Sequence, residues 1–353
     1  MLYNGMEEIF MKILLVFTGG TIGSTENGGF ISPDKEKPYK LVSMYREYAM
    51  KHKDEYVIFD ILTPYQTLSE NINCNNFRLL ADCLGGIKKN EYDGVIITHG
   101  TDTIQYTAAF SGYIMDGYNI PVVFVSANYV LEDTRSNGLG NFYYAVEFIR
   151  QKKGTGVFVS YCNSGGVPHI HYATRLVMHQ AYSDSLYSVD GLYYGYFNNG
   201  SFIYRDCENQ TPDGKDIAVS ESGISNVPAG SDMSGIMVVH PYPGMHYTIP
   251  GDGIKAVLHY TYHSGTICSN ATGLKQFAAY TGENGIPVFV TGAGGGADYE
   301  SMKCYNRLGF YMLPKASPEA MYIKLWLCII NNKSINEIVE IMHKPMAHDI
   351  IKN

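Results

Sequence analysis

The sequence predicts an α/β protein: a larger N-terminal domain built on an open, doubly wound sheet, then a smaller C-terminal α/β domain. Three observations carry that reading. Through the first half, short β-branched runs that are apolar almost throughout alternate with segments of helical period. From about residue 200 to 232 the alternation breaks into polar, turn-forming sequence, "RDCENQTPDGKD" and "SESGISNVPAGSD". Strand-like and helix-like segments then resume. A chain of 353 residues is long enough for two such cores. The expected limits are 11–200 for the first domain, 201–232 for a linker and 233–353 for the second domain.

Taken in order, "KILLVF", "YVIFDIL", "DGVIITHG", "IPVVFVSA" and "GVFVSYC" read as the strands of the first domain. Their unbroken hydrophobicity suits a parallel sheet covered on both faces. Between them, "NNFRLLADCLGGIKK", "DTIQYTAAFSGYIMD" and "NGLGNFYYAVEFIRQ" space their apolar residues as helices do. Such a β-α-β-α order sets ligands beyond the carboxyl ends of the strands. In the second domain "SGIMVVHPYPG", "GIKAVLHYTYHSG" and "IPVFVTGAGGG" read as strands. The helices "SPEAMYIKLWLCIIN" and "SINEIVEIMHK" each open on a serine suited to capping, the first with Pro318 in its first turn.

Composition narrows the function. Hydrophobic residues make up 45% and charged residues 17%, a globular balance. No apolar run approaches the roughly 18 residues of a membrane span. The start lacks a basic region ahead of a cleavable apolar core, and Met11 is a candidate natural start. Seven scattered cysteines, never in a C-x-x-C pair, suit reduced thiols in the cytoplasm better than disulfides or a zinc ribbon. A net charge of −8 argues against a nucleic-acid partner. The expectation is a cytoplasmic protein with neither a membrane nor a nucleic-acid partner.

Two motifs carry the chemistry. "TGGTIGS" follows the first strand, but it matches neither G-x-x-x-x-G-K-[ST] nor G-x-G-x-x-G, so the nucleotide reading loses. What is left is Thr21, held at a strand end by permissive glycines. "DGVIITHGTDTIQYTAAF" sets Thr101 and Asp102 at the end of another strand. Asp102 is open to a second reading, as a cap for the next helix. In an open α/β sheet Thr21 and Thr101 converge on one crevice. The histidines of "HIHYATRLVMH" and "HYTYH" have no accompanying carboxylate or cysteine cluster, so no metal site is expected.

On these motifs the chain resembles the L-asparaginase/glutaminase family of amidohydrolases, closest in style to the bacterial cytoplasmic type. "TGGTIGS" and "HGTDT" stand as that family's two signatures, in order and about eighty residues apart. "SENI" at 69–72, "IPVVFVSANYV" with "RSNGLGNFYYAVEFI", and "PEAMYIKLWLCI" resemble further family segments, so the likeness runs from about 12 to 343. The resemblance implies two domains of the asparaginase type and a cofactor-free hydrolysis of L-asparagine or a related small amide. It implies Thr21 as nucleophile of an acyl-enzyme and Thr101 as the group that orients water or attacks second. Asp102 and Ser69 would hold the α-amino and α-carboxylate groups, with Glu70 assisting. Backbone amides near Ala127 and Thr101 would form the oxyanion site. A homodimer or homotetramer is implied as well.

Two departures from the family mark a variant site. Phe30 stands where a lid tyrosine is expected, with Tyr39 nine residues on as a substitute. Val177 aligns with the lysine of a Thr-Lys-Asp triad, with Arg175 and His179 nearby as substitutes. Strand-like alternation sets Arg175, Val177 and His179 on one face, and His179 reads first as a packing or surface histidine. Arginine is a poor base, whereas histidine serves as one. The rival readings are an amino-acid-binding protein that has lost turnover and, last, the amidase subunit of a tRNA-dependent amidotransferase.

Overall fold

The computed structural model describes residues 10–52, 54, 56–88, 90–115, 117–205, 222–292 and 298–351. The middle of the expected linker (206–221), Cys207 and most of "TGAGGGAD" lie outside the described residues. Six cysteines fall inside them, and all six are free thiols.

The chain opens with β1 (Met11–Phe17), a hairpin of β2 (Ser24–Asn27) and β3 (Phe30–Pro33), and α1 (Lys37–His52). It continues through β4 (Val57–Leu62), α2 (Cys74–Gly85), β5 (Gly94–Thr98), α3 (Ile104–Ile114), β6 (Pro121–Val125), α4 (Gly138–Arg150) and β7 (Gly156–Cys162). Three more strands follow: β8 (Pro168–Tyr172), β9 (Gly195–Asn198) and β10 (Ser201–Tyr204). With the hairpin apart, they form one eight-stranded sheet in the order β10-β9-β8-β7-β6-β5-β1-β4. The five strands from β4 to β7 are parallel, and Leu15 pairs with Ile61 on one side and Ile96 on the other. The last three are antiparallel.

Each face of this sheet is covered, which is why its strands are apolar without alternation. Ile13, Leu15, Phe17 and Ile96 pack under Leu41 and Tyr45 of α1 and under Phe142 and Val146 of α4. Leu14, Val16, Val95 and Ile97 pack under Leu80 and Leu84 of α2 and under Ile104 and Ala108 of α3. The sheet is doubly wound. Its chain order reverses between β1 and β5, whose onward connections run to opposite sides, and a crevice opens beyond such a switch point.

The second sheet is smaller and parallel: β11 (Ile236–Val239), β12 (Ala256–Tyr260), β13 (Val288–Thr291) and β14 (Tyr311–Met312), in that order. One face packs on α5 (Leu274–Glu283) through Val257, Val290 and Phe277. A short α6 (Cys304–Leu308) precedes β14, and α7 (Pro318–Ile330) and α8 (Ile335–His343) close the chain. Helix α7 is apolar nearly all round because both units pack on it. Phe110 of α3 and Phe77 of α2 meet Trp326 on one side, and Leu258 and Phe289 of the second sheet belong to the same core.

Three elements differ from the sequence reading. Ser201–Tyr204, assigned above to the linker, is an edge strand whose Phe202 packs among Phe148, Tyr194 and Phe197. The stretch 173–179 is not a strand: a 3-10 turn at Ala173–Arg175 ends β8, so Arg175 and His179 do not share a face. Tyr39 belongs to α1 rather than to a rearrangeable loop, and it is 64% exposed.

Candidate active site

Three loops meet beyond the carboxyl ends of β1, β4 and β5. The first begins at Gly19 and Gly20, which adopt φ 111° and 77°, conformations only glycine holds without strain. A Cβ on Gly19 would sit 2.2 Å from the Thr67 carbonyl oxygen, and one on Gly20 would sit 2.2 Å from the Gly100 nitrogen. A Cβ on Gly100 would fall 2.3 Å from Ser69 Oγ. The three backbones are therefore in direct contact, and the glycines of "TGGTIGS" and "HGT" exist to permit that approach.

Hydrogen bonds lock the contact. The Gly20 amide donates to the Thr67 carbonyl at 3.1 Å, and the Thr67 amide donates to the Thr18 carbonyl at 3.1 Å. The Thr18 hydroxyl donates to the Thr98 carbonyl, joining β1 to β5. Ser69 Oγ donates to Asp102 Oδ2 at 3.3 Å, and Thr103 Oγ1 donates to the Ser69 carbonyl at 2.8 Å. Beneath them His99 is fully buried, and desolvation pushes its imidazole down to about 4, so the ring is neutral at pH 7.

Within this frame Thr21 opens a 3-10 turn and is half-buried, as is Thr101. Ser69 is buried, Glu70 and Asp102 are exposed, and Asp102 makes no cap hydrogen bond to α3. Ala127 is fully buried two residues beyond β6, where Gly138 leaves room for its methyl group. Reciprocal hydrogen bonds of 3.0 Å between the Asn128 and Asn137 backbone amides and side chains brace that turn.

The residues near the departures separate. Phe30 is 81% exposed beside the hairpin turn at Gly28 and Gly29. Arg175 is fully buried and donates Nε–H to the His348 carbonyl at 2.7 Å, with its guanidinium over the Tyr172 ring. It is committed to the C-terminal tail. His179 lies instead where the charges of Asp102 and Asp184 act on it, its ring 6.3 Å from that of Tyr161. Both its ring nitrogens are shielded from solvent and find no hydrogen-bond partner among the described residues. It is not the satisfied packing histidine expected from sequence.

Two positions were missed in sequence. Ser317, read there only as a helix cap, also donates its hydroxyl to the Leu176 carbonyl, and buried Glu319 accepts from the Met178 amide. The N-terminus of α7 thus grips the strand of chain that ends in His179. That contact spans 141 residues of sequence, so no local signal announces it. Among the described residues no group of three or more His, Cys, Asp or Glu side chains is arranged to hold a metal ion. No helix among them is long and apolar enough to cross a membrane.

The family model described as Asparaginase, N-terminal, matches residues 12–207. The L-asparaginase of Thermococcus kodakarensis is 30% identical over 154 residues, covering 43% of this chain and 44% of that protein. A glutamyl-tRNA(Gln) amidotransferase subunit of Methanococcus maripaludis is 22% identical over 359 residues, covering 96% of this chain and 80% of that one. Two solved structures share the fold at 21% identity: the thermostable L-asparaginase from Thermococcus kodakarensis, with TM-score 0.74 over 96% of this chain and 99% of that one, and L-asparaginase I from Vibrio cholerae, with TM-score 0.72 over 97% and 99%. By its N-terminal region and its fold, the chain belongs to the asparaginase family.

Proposed function

We propose that this protein hydrolyses the side-chain amide of L-asparagine, or of a related small amide, through an acyl-enzyme on Thr21, without a cofactor. One observation carries the reading: glycine-permitted backbone contact gathers the loops of Thr21, Ser69 and Thr101–Asp102 at a sheet switch point. Thr21 Oγ attacks the amide carbon, and the oxyanion is met by backbone N–H groups near Ala127 and Thr101. Collapse breaks the C–N bond and ammonia leaves with the hydroxyl proton. Water then attacks the ester, the bond to Thr21 Oγ breaks, and the acid is released. Asp102 and Ser69 hold the α-amino and α-carboxylate groups of the substrate, with Glu70 beside them. The working form is a homodimer or homotetramer in the cytoplasm.

The test is ammonia release from L-asparagine and L-glutamine by the purified protein, with Thr21→Ala as control. Turnover that vanishes in Thr21→Ala supports the reading. Thermal stabilisation by aspartate without ammonia release overturns it in favour of an amino-acid-binding protein. A second reading, an amide-cleaving subunit that supplies ammonia to a partner, is favoured by the match to the Methanococcus amidotransferase protein across 96% of this chain. It requires turnover that rises only when a partner subunit and charged tRNA are added.

A further inference from the structure

His179 sits on a loop that is fixed at several points. The Leu176–Ser188 bridge and the 3.0 Å hydrogen bond from the Val177 amide to the Tyr187 carbonyl hold it on one side. Ser317 and Glu319 at the start of α7 hold Leu176 and Met178 on the other. A loop so fixed nevertheless delivers an imidazole whose two nitrogens are both shielded and unpartnered among the described residues. Buried polar groups are ordinarily paired, because leaving one unpaired costs about 1–3 kcal/mol. A buried ring left open beside the carboxylate that follows Thr101 has the form of a group kept for a ligand or a proton.

We propose that His179 is the proton acceptor for the water that Thr101 orients, and that Asp102 stabilises the imidazolium it becomes. The inference rests on the amide-hydrolysis reading above and supplies the base which that reading lacks. Water oxygen attacks the acyl carbon of the Thr21 ester while one water proton passes to His179. When the bond between the acyl carbon and Thr21 Oγ breaks, the imidazolium returns that proton to Oγ. Atoms and charge balance, and no other co-reactant enters. The groups facing the ring are Asp102 before α3, Asp184 in the following loop and the Tyr161 ring on β7. Desolvation holds His179 below the ordinary 6.5 against the two carboxylates, so the ring is a free base at neutral pH. Arg175, committed to the tail, cannot serve in its stead.

The experiment compares wild type with His179→Gln, and follows the His179 imidazole by NMR titration in wild type and in Asp102→Asn. Expected are a kcat lower by about 100-fold or more with KM nearly unchanged, and loss of the acid limb of the kcat profile. The NMR arm reads the pairing without turnover: Asp102→Asn removes a raising charge, so His179 titrates at still lower pH. An unchanged kcat, a kcat that falls with its pH profile intact, or a His179 titration indifferent to Asp102→Asn overturns the proposal. If wild type releases ammonia and His179→Gln does too, only this inference fails. If wild type releases none, the hydrolysis reading fails and takes this one with it.

Discussion

Gly20 shows how strictly one residue conditions the site. Its φ of 77° and ψ of −177° fall in a region that is essentially closed to residues with a Cβ. The Gly100 nitrogen would stand 2.2 Å from such a Cβ, and backbone cannot step aside as a side chain can. Gly20→Ala therefore carries about 1–3 kcal/mol of backbone strain and also drives the Thr21 loop from the Thr101 loop. A displacement of about 1 Å is enough to lower kcat/KM by about 100-fold. Gly28→Ala is the control, because its positive φ of 59° carries strain but no atom lies within 4 Å of the new methyl group. Steady-state kinetics on both variants decide the matter. Equal activity in the two would mean that the loops do not need their backbone contact. The glycines were legible in sequence as a turn that spares room, but their partners were not, since Thr67 and Gly100 lie far along the chain.

At the scale of elements, α7 is the one that links packing to the site. Its N-cap Ser317 accepts from the Ala320 amide at 3.2 Å and donates to the Leu176 carbonyl. Ser334 caps α8 in the same manner, with Glu337 completing a capping box, but it touches no site loop. Ser334→Ala is expected to cost about 1 kcal/mol and leave turnover intact. Ser317→Ala loses the cap and strands the Leu176 carbonyl as well, for about 2–4 kcal/mol in all, and lowers kcat by loosening His179. Urea midpoints and kcat for the pair separate the two roles, and equal kcat would show that α7 does not position the loop. The strands of the parallel sheet were legible because burial on both faces leaves them no polar positions. Helix α1, α5 and the β2–β3 hairpin were not singled out: α1 exposes much of its surface and carries a weak apolar stripe, and the hairpin is mostly exposed. The 173–179 stretch was misread because its alternation of types mimics a strand, while tertiary contacts at Arg175 and Leu176 impose a turn.

For the whole molecule, the decisive feature is the C-terminal tail, which clasps the two α/β units together. Thr174 Oγ1 donates to the Ala347 carbonyl and Arg175 Nε to the His348 carbonyl, each at 2.7 Å, so the tail is tied to the end of β8. Two residues on, Asp349 is fully buried, accepting from Lys324 of α7 at 2.8 Å and from the Tyr113 hydroxyl of α3 at 2.9 Å. One carboxylate thus joins a helix of the large sheet to the helix shared with the small one. The chain turns into this contact through Ala347 and His348 at φ 49° and 63°, a conformation unfavourable to residues with a Cβ that the surrounding bonds hold in place. Lys324 and Asp349 are both wholly shielded, so removing either leaves the other an uncompensated buried charge. Asp349→Ala is accordingly expected to lower unfolding stability by about 3–5 kcal/mol. Replacing the pair by apolar side chains, Lys324→Met with Asp349→Leu, should recover much of that loss, since a well-packed apolar pair often equals a buried ion pair. Urea unfolding of wild type, Asp349→Ala and the double variant makes the test. If Asp349→Ala unfolds with the wild-type midpoint, the tail does not clasp the units. If the single variant is weakened and the double variant restored, the ionic pair serves to fix where the tail lies rather than to supply net stability. Arg175 then keeps its place against the tail, and the loop that runs on to His179 keeps its anchor.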